Sequence, residues 1–407
     1  MVDPVHAVES DMALEQTWRW FGPHDPVTLQ EVRQTGATGI VSALHHIPIG
    51  EIWSVDEILK RKEMIESYGL SWSVIESVPV HEDIKKMSGQ YRRFIDNYKT
   101  TLRNIGQCGM DTVCYNFMPV LDWSRTDLQA VGPDESVGTR FESKAFAAFD
   151  LFLLDRQEAA TDYTPDQIRE AKNYFEGLTA DQKSRLTDTM LLGLPGSLEA
   201  YTLDQFRAAI TAYAGIGEKE LRTNLSAFIK EIIPVAEEAG VLMAIHPDDP
   251  PWSLLGLPRV VRNQDDIDHI LKVVNSPSNG FTLCTGSLGA SIRNDLATFA
   301  DRFADRISFV HLRNVTPSEN GDFEEAYHLN GAIDVYHIVK TLLLEQKRRR
   351  ETGRKDFRMP MRPDHGHLMI PEREKSGIYP GYSLFGRMRG LAEIRGLEMA
   401  IRRSLDL

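Results

Sequence analysis

Eight short runs rich in β-branched, aromatic and aliphatic residues recur along the chain, at 17–21, 39–44, 71–76, 112–117, 241–245, 281–284, 307–312 and 359–362. Segments of helical period lie between them at 55–68, 91–108, 218–239, 264–274 and 333–351, and another follows the last run at 383–404. This alternation constrains the fold more than any other feature. Strands joined through helices come out parallel in one sheet, since only a crossover returns the chain to the same end. Several runs, such as 241–245, are continuously apolar instead of alternating, as strands covered on both faces should be. Eight is the number of strands that closes a parallel sheet on itself, so the expected fold is α/β, a (β/α)8 TIM barrel.

The rhythm breaks once, between the run at 112–117 and the run at 241–245, where far more residues intervene than a crossover needs. Helical stretches at 143–153, 165–177 and 203–213 fill much of the gap. The expected organisation is a single domain over 1–407 with a helical insertion at about 125–215, placed over the barrel as a lid or an assembly surface.

Composition narrows the partners. The net charge is −13 and the basic residues are scattered, apart from Lys347, Arg348, Arg349 and Arg350 at the end of a helical pattern, where cations suit the helix dipole. Nucleic acid is therefore not an expected partner. No apolar stretch approaches the roughly 20 residues that span a bilayer, and the acidic stretch 1–11 has no leader pattern, so no membrane partner and a cytoplasmic location are expected. Three cysteines are too few for a disulfide framework in 407 residues, which makes each one core filler or ligand. A homodimer is left open.

In a barrel of this kind the chemistry sits where the strands end. The fifth run ends at His246, the sixth at Cys284, the seventh in Phe309-Val310-His311-Leu312-Arg313, and the eighth leads into Arg362-Pro363-Asp364-His365. Imidazole, thiol, imidazole and carboxylate thus fall on four successive strands at one end of the sheet. Neighbouring strands lie about 4.8 Å apart, close enough for such side chains to converge on one ion. His246, Cys284, His311 and Asp364 are the expected metal ligands, with Zn, Fe(II) and Mn(II) all compatible with the set. Cys108 and Cys114 are read as core filler. Polar residues also follow the early strands: His24 and Asp25, His45 and His46, Glu76, and Asn116. His24, His45 and Asn116 are expected to meet substrate, and Arg313 and Arg362 to clamp an anionic group, because guanidinium binds carboxylate through two parallel hydrogen bonds.

Longer motifs run through nearly the whole chain: 17–23, 41–45, 114–123, His246-Pro247-Asp248-Asp249-Pro250-Pro251, Leu283-Cys284-Thr285-Gly286-Ser287, 309–313, His328-Leu329-Asn330-Gly331, 362–367 and Pro380-Gly381-Tyr382. In these the sequence resembles the mannonate dehydratase family. The resemblance implies a xylose-isomerase-like barrel and metal-dependent dehydration of D-mannonate to 2-dehydro-3-deoxy-D-gluconate in hexuronate (glucuronate) breakdown. It implies Mn(II) or Fe(II) on His246, Cys284, His311 and Asp364, with His365 and Tyr382 close to the substrate. A C2 proton beside a carboxylate is weakly acidic and hydroxide leaves poorly, so the elimination needs a base and an acid. Imidazole titrates near neutrality, which favours His365 as base and Tyr382 as acid; the reverse assignment and a proton shuttle through Asp364 stay open. The other readings are a sugar isomerase or epimerase on the same barrel, which would lose no water, and a noncatalytic sugar-acid-binding protein.

Overall fold

A computed structural model describes residues 13–192 and 201–407. Its strands, in chain order, are β1 Glu15–Arg19, β2 Gly39–Ser42, β3 Ser71–Glu76, β4 Thr112–Tyr115, β5 Asp127–Val131, β6 Val137–Phe141, β7 Leu242–Ile245, β8 Asn279–Cys284, β9 Ile307–His311, β10 Asn314–Pro317, β11 Phe323–Ala326 and β12 Pro360–Arg362. β1, β2, β3, β4, β7, β8, β9 and β12 close into a barrel in that order, each parallel to its neighbours. The barrel is the expected fold, and its strands fall within a few residues of the runs that announce them.

Local chemistry accounts for the surrounding helices. The helix Leu29–Gln34 starts in a reciprocal capping box between Thr28 and Glu31. The long helix Glu218–Ala239 stops at Gly240, whose φ of 69° is left-handed. Leu221, Leu225, Phe228, Ile229, Ile232 and Ile233 on that helix are buried, and this spacing of three to four residues covers the face turned to the sheet. Apolar residues of the outer helices and the outward face of the strands form the largest core. Inside the barrel Val41, Val74, Cys114, Ala244 and Phe309 make a small separate cluster. Cys114 is thus packing material, as read; Cys108 is also buried.

The stretch between β4 and β7 contains the helices Ser143–Ala148, Pro165–Gly177, Ala180–Leu191 and Leu203–Thr211. It opens, however, with a β-hairpin, β5 and β6, that the helical reading does not include. β6 pairs antiparallel with β11, and β11 with β10, giving a four-stranded sheet in the order β10, β11, β6, β5. This accessory sheet joins the insertion to the loop that leaves β9, and so stands at the C-terminal mouth of the barrel. A second apolar core holds it there: Phe141 and Phe323 stack with ring centroids 5.4 Å apart, among Phe146, Phe149, Phe206, Leu254 and Leu257.

Candidate active site

Barrel register places the site. Cys284 pairs with His311 across β8 and β9, and His311 pairs with Arg362 across β9 and β12, so three strand ends stand level. His246 follows β7 directly, and Asp364 follows β12 in a left-handed conformation with φ of 63°. That conformation is uncommon for residues other than glycine and easiest for Asn and Asp. Ligand atoms of His246, Cys284 and His311 all lie within 4.8 Å of one another. The Asp364 carboxylate is 3.7 Å from Cys284 Sγ and 3.9 Å from His311 Nδ1. Three of the four residues read as ligands therefore converge, and Asp364 borders them with Oδ2 toward Cys284 and Oδ1 toward His311.

Hydrogen bonding fixes which ring nitrogens face the centre. His246 Nδ1 lies 2.7 Å from the Pro247 carbonyl oxygen, which can only accept, so Nδ1 carries the hydrogen and Nε2 keeps its lone pair. His311 Nδ1 lies 3.5 Å from an Arg362 guanidinium nitrogen, which can only donate, so Nδ1 is its lone-pair nitrogen, and Nε2 is turned toward the Glu76 carboxylate, 3.6 Å away. The two lone pairs face each other with His246 Nε2 and His311 Nδ1 3.2 Å apart, beside a buried thiol and a carboxylate. Two imidazole lone pairs so placed repel unless something positive lies between them. Soft sulfur, imidazole and carboxylate together suit a divalent transition metal, so the donor set fits such an ion.

Around this centre buried carboxylates and guanidinium groups interlock. Arg362 donates to both Glu76 oxygens, at 3.1 and 2.9 Å, and pairs with Asp364 at 2.5 Å. Burial alone would push the Asp364 carboxyl up, but Arg362, His365, His311 and Arg313 outweigh it and hold it well below the usual carboxylate range. Arg313 reaches Asp249 at 2.9 Å, Glu325 at 3.2 Å and Asp364 at 3.5 Å. Gly286 makes room for it, since a Cβ there would collide with the Arg313 guanidinium. Asp249 also takes a two-pronged pair from Arg125, at 2.8 and 3.1 Å, and the Ser287 hydroxyl donates to it at 3.0 Å.

His365 and Tyr382 lie beside this network. His365 Nδ1 is 3.0 Å from Glu325 Oε1, and its Nε2 faces Asp364 at 3.9 Å. The His365 and Tyr382 rings meet edge to face, 5.1 Å between centroids. Burial raises the Tyr382 phenol to about 12, against the pull of Arg362. His45, half-buried, sits 3.3 Å from an Arg19 nitrogen, and burial with Arg19 and Arg61 lowers it to about 3, so it stays neutral. Asn116, at the end of β4, is half-buried, and its side chain has no hydrogen-bond partner among the described residues. His24 stands apart, exposed on the loop after β1. Its neighbour Asp25 ties that loop by accepting from the Phe21 and Val27 amides at 2.7 and 2.8 Å. His46 pairs at the surface with Glu57, 2.9 Å away.

Four members of the network carry no role in the sequence reading: Asp249, Ser287, Arg125 and Glu325. Asp249 and Ser287 belong to motifs at strand ends and were within reach of it. Arg125 and Glu325 come from the accessory sheet and its lead-in, which no strand-end pattern marks.

Fold and site together define a (β/α)8-barrel enzyme with its chemistry gathered at the C-terminal mouth. Residues 14–406 match the family model described as D-mannonate dehydratase (UxuA), and the chain belongs to that family, whose reaction makes it a carbon–oxygen lyase. The chain is 53% identical over 393 residues to a mannonate dehydratase of Marinomonas sp., covering 96% of this chain and 100% of that one. It is 52% identical over 391 residues to a mannonate dehydratase of Chromohalobacter salexigens, covering 96% and 99%. Among solved structures it resembles mannonate dehydratase from Streptococcus suis serotype 2, with a TM-score of 0.76, 35% identity and 97% and 96% of the two chains covered. Among the described residues no helix is long and apolar enough to cross a membrane.

Proposed function

We propose that the chain is a D-mannonate dehydratase that forms 2-dehydro-3-deoxy-D-gluconate in hexuronate breakdown, with Mn(II) or Fe(II) held by His246, Cys284, His311 and Asp364. The observation that carries this reading is the pair of imidazole lone pairs facing each other beside Cys284, in a chain of this family. A divalent ion bound there supplies Lewis acidity, spreading the negative charge that develops at the substrate as C2 loses its proton.

The chain's own residues supply the rest. His365 has one nitrogen on Glu325, so Nε2 is left to accept the C2 proton. The electron pair of the C2–H bond becomes the C2–C3 double bond and the C3–O bond breaks. Tyr382, kept protonated by burial, gives its proton to the departing hydroxide, which leaves as water. The resulting enol takes a proton at C3 and releases the proton of its C2 hydroxyl, becoming the 2-keto acid. Asn116, after β4, and His45, after β2, would bind substrate hydroxyls. Arg313 and Arg362 already hold carboxylates of the protein, and a substrate carboxylate would share them. A cytoplasmic setting suits a site that uses a free thiol.

The test is incubation of the purified protein with D-mannonate and either Mn(II) or Fe(II), followed by periodate and thiobarbiturate detection of a keto-deoxy acid. Appearance of the chromophore, lost after chelation and restored by the metal, is expected. Ketose formation without loss of water would instead identify an isomerase, and tight binding without product a sugar-acid-binding protein.

A further inference from the structure

The geometry points to Glu325, delivered from the accessory sheet, as a positioning residue that fixes His365 with its Nδ1 hydrogen on the carboxylate and its Nε2 turned to the reaction. This rests on the dehydratase reading and assigns a task to a part of the molecule outside the eight-stranded barrel. Glu325 lies on β11, whose partner β6 belongs to the insertion. Its Oε1 takes His365 Nδ1 at 3.0 Å and a hydroxyl hydrogen bond from Thr139 on β6 at 3.2 Å. Arg313 lies 3.2 Å from its Oε2, and Arg125, just ahead of β5, lies 3.6 Å from Oε1. The side chain is buried, with an exposure of 5%.

The charge on this carboxylate is secured by its neighbours. Burial opposes ionisation, but Arg313, His365 and Arg125 overcome it and hold Glu325 at about 2. A carboxylate can only accept, so the nitrogen that faces it must carry hydrogen, and the tautomer of a neutral His365 is set. The carboxylate also stabilises the imidazolium that forms once Nε2 has taken a proton, the part played by the buried acid in hydrolase triads. The insertion thereby enters the chemistry through Arg125 and Thr139, which steady Glu325, which in turn orients His365.

Three variants test this against a role in charge balance alone. Glu325→Gln keeps the shape but can offer an amide hydrogen to Nδ1. Glu325→Asp keeps the charge near Arg313 and Arg125 but draws the oxygen back from His365. Thr139→Val removes the hydroxyl that donates to Glu325 at 3.2 Å and accepts from Arg125 Nε at 3.4 Å, and leaves the carboxylate itself in place. Each is measured for kcat and KM with D-mannonate, for bound metal and for thermal midpoint. Both Glu325 variants are expected to lose kcat by about tenfold or more, the scale of losing a carboxylate that orients a functional histidine, with KM and bound metal close to wild type. Thr139→Val is expected to lose kcat in the same direction and by less. Wild-type kcat in Glu325→Asp, or a loss confined to KM or to bound metal, would overturn the assignment. Should Glu325→Gln fail to fold, Glu325→Asp and Thr139→Val decide in the same way. A wild-type enzyme that makes no keto-deoxy acid would overturn the dehydratase reading itself, whereas an active wild type with unaffected variants overturns only the role of Glu325.

Discussion

The two mouths of the barrel both carry clustered charge, partly exposed at one and buried at the other, and they treat it in opposite ways. At the N-terminal mouth Arg358, just before β12, donates to Glu15 at the start of β1 and to Asp111 beside β4, and Ser73 donates to Glu15 at 2.5 Å. Cation and carboxylates there are aimed at one another, and the cluster ties strand starts together. At the C-terminal mouth Glu76, Asp249, Glu325 and Asp364 are likewise matched by Arg362, Arg313 and Arg125. In their midst, however, His246 and His311 present lone pairs to each other 3.2 Å apart, and Arg313 Nη2 is buried without a hydrogen-bond partner. Buried polar atoms are ordinarily satisfied. The contrast teaches that charge alone does not mark a site; polar groups converging on a point that none of them can satisfy do.

The sharpest way to break the contrast is Cys284→Ser. A metal-bound thiol is deprotonated whereas a serine hydroxyl is not, so bound metal and turnover should both fall, by more than the roughly 10–100-fold that changes to outer hydrogen-bond partners cost. Elemental analysis and D-mannonate turnover check this, and full metal retention would remove Cys284 from the ligand set. Next in size is Arg362→Ala, which strands the Glu76 and Asp364 carboxylates. Removing one partner of a buried pair costs about 3–5 kcal/mol, to be read from denaturant unfolding. Its counterpart at the opposite mouth, Arg358→Ala, should cost only about 1–3 kcal/mol, since that side chain is partly exposed, and should leave kcat unchanged. A loss of turnover there would mean that the two ends are not separable in function.

The last difference expected is in pH dependence. Glu325 is held at about 2 in the fold against 4.5 as its ordinary value. A carboxyl lowered on folding contributes stability that is present above its unfolded value and is lost as pH falls through the folded one. Wild-type thermal stability should therefore decline between about pH 4.5 and 2 more steeply than that of Glu325→Gln. Parallel curves for the two proteins would show that this carboxylate carries no such linkage.

Much of this was legible in the sequence, and for a physical reason. Strands of a parallel barrel are buried on both faces, so they stand out as apolar runs, and the residue at which each run stops is by geometry at the mouth. His246, Cys284, His311 and Asp364 could be read that way. The accessory sheet could not, because β5 and β10 are partly exposed and lack the continuous apolar character of the barrel strands. The turn residues Gly132, Pro133 and Asp134 between β5 and β6 were the available sign of a hairpin. Glu325 sits beside an exposed glutamate in Phe323-Glu324-Glu325-Ala326, and only the pairing of β11 with β6, distant in sequence, separates a surface acid from one buried against His365.

The most direct measurement is an anomalous difference map, collected at the manganese absorption edge, from crystals of the Mn(II)-loaded protein. A single strong peak bounded by His246, Cys284, His311 and Asp364 is the expected result. A fully loaded protein whose peak lies elsewhere, with the two imidazoles still facing each other across 3.2 Å, would contradict it.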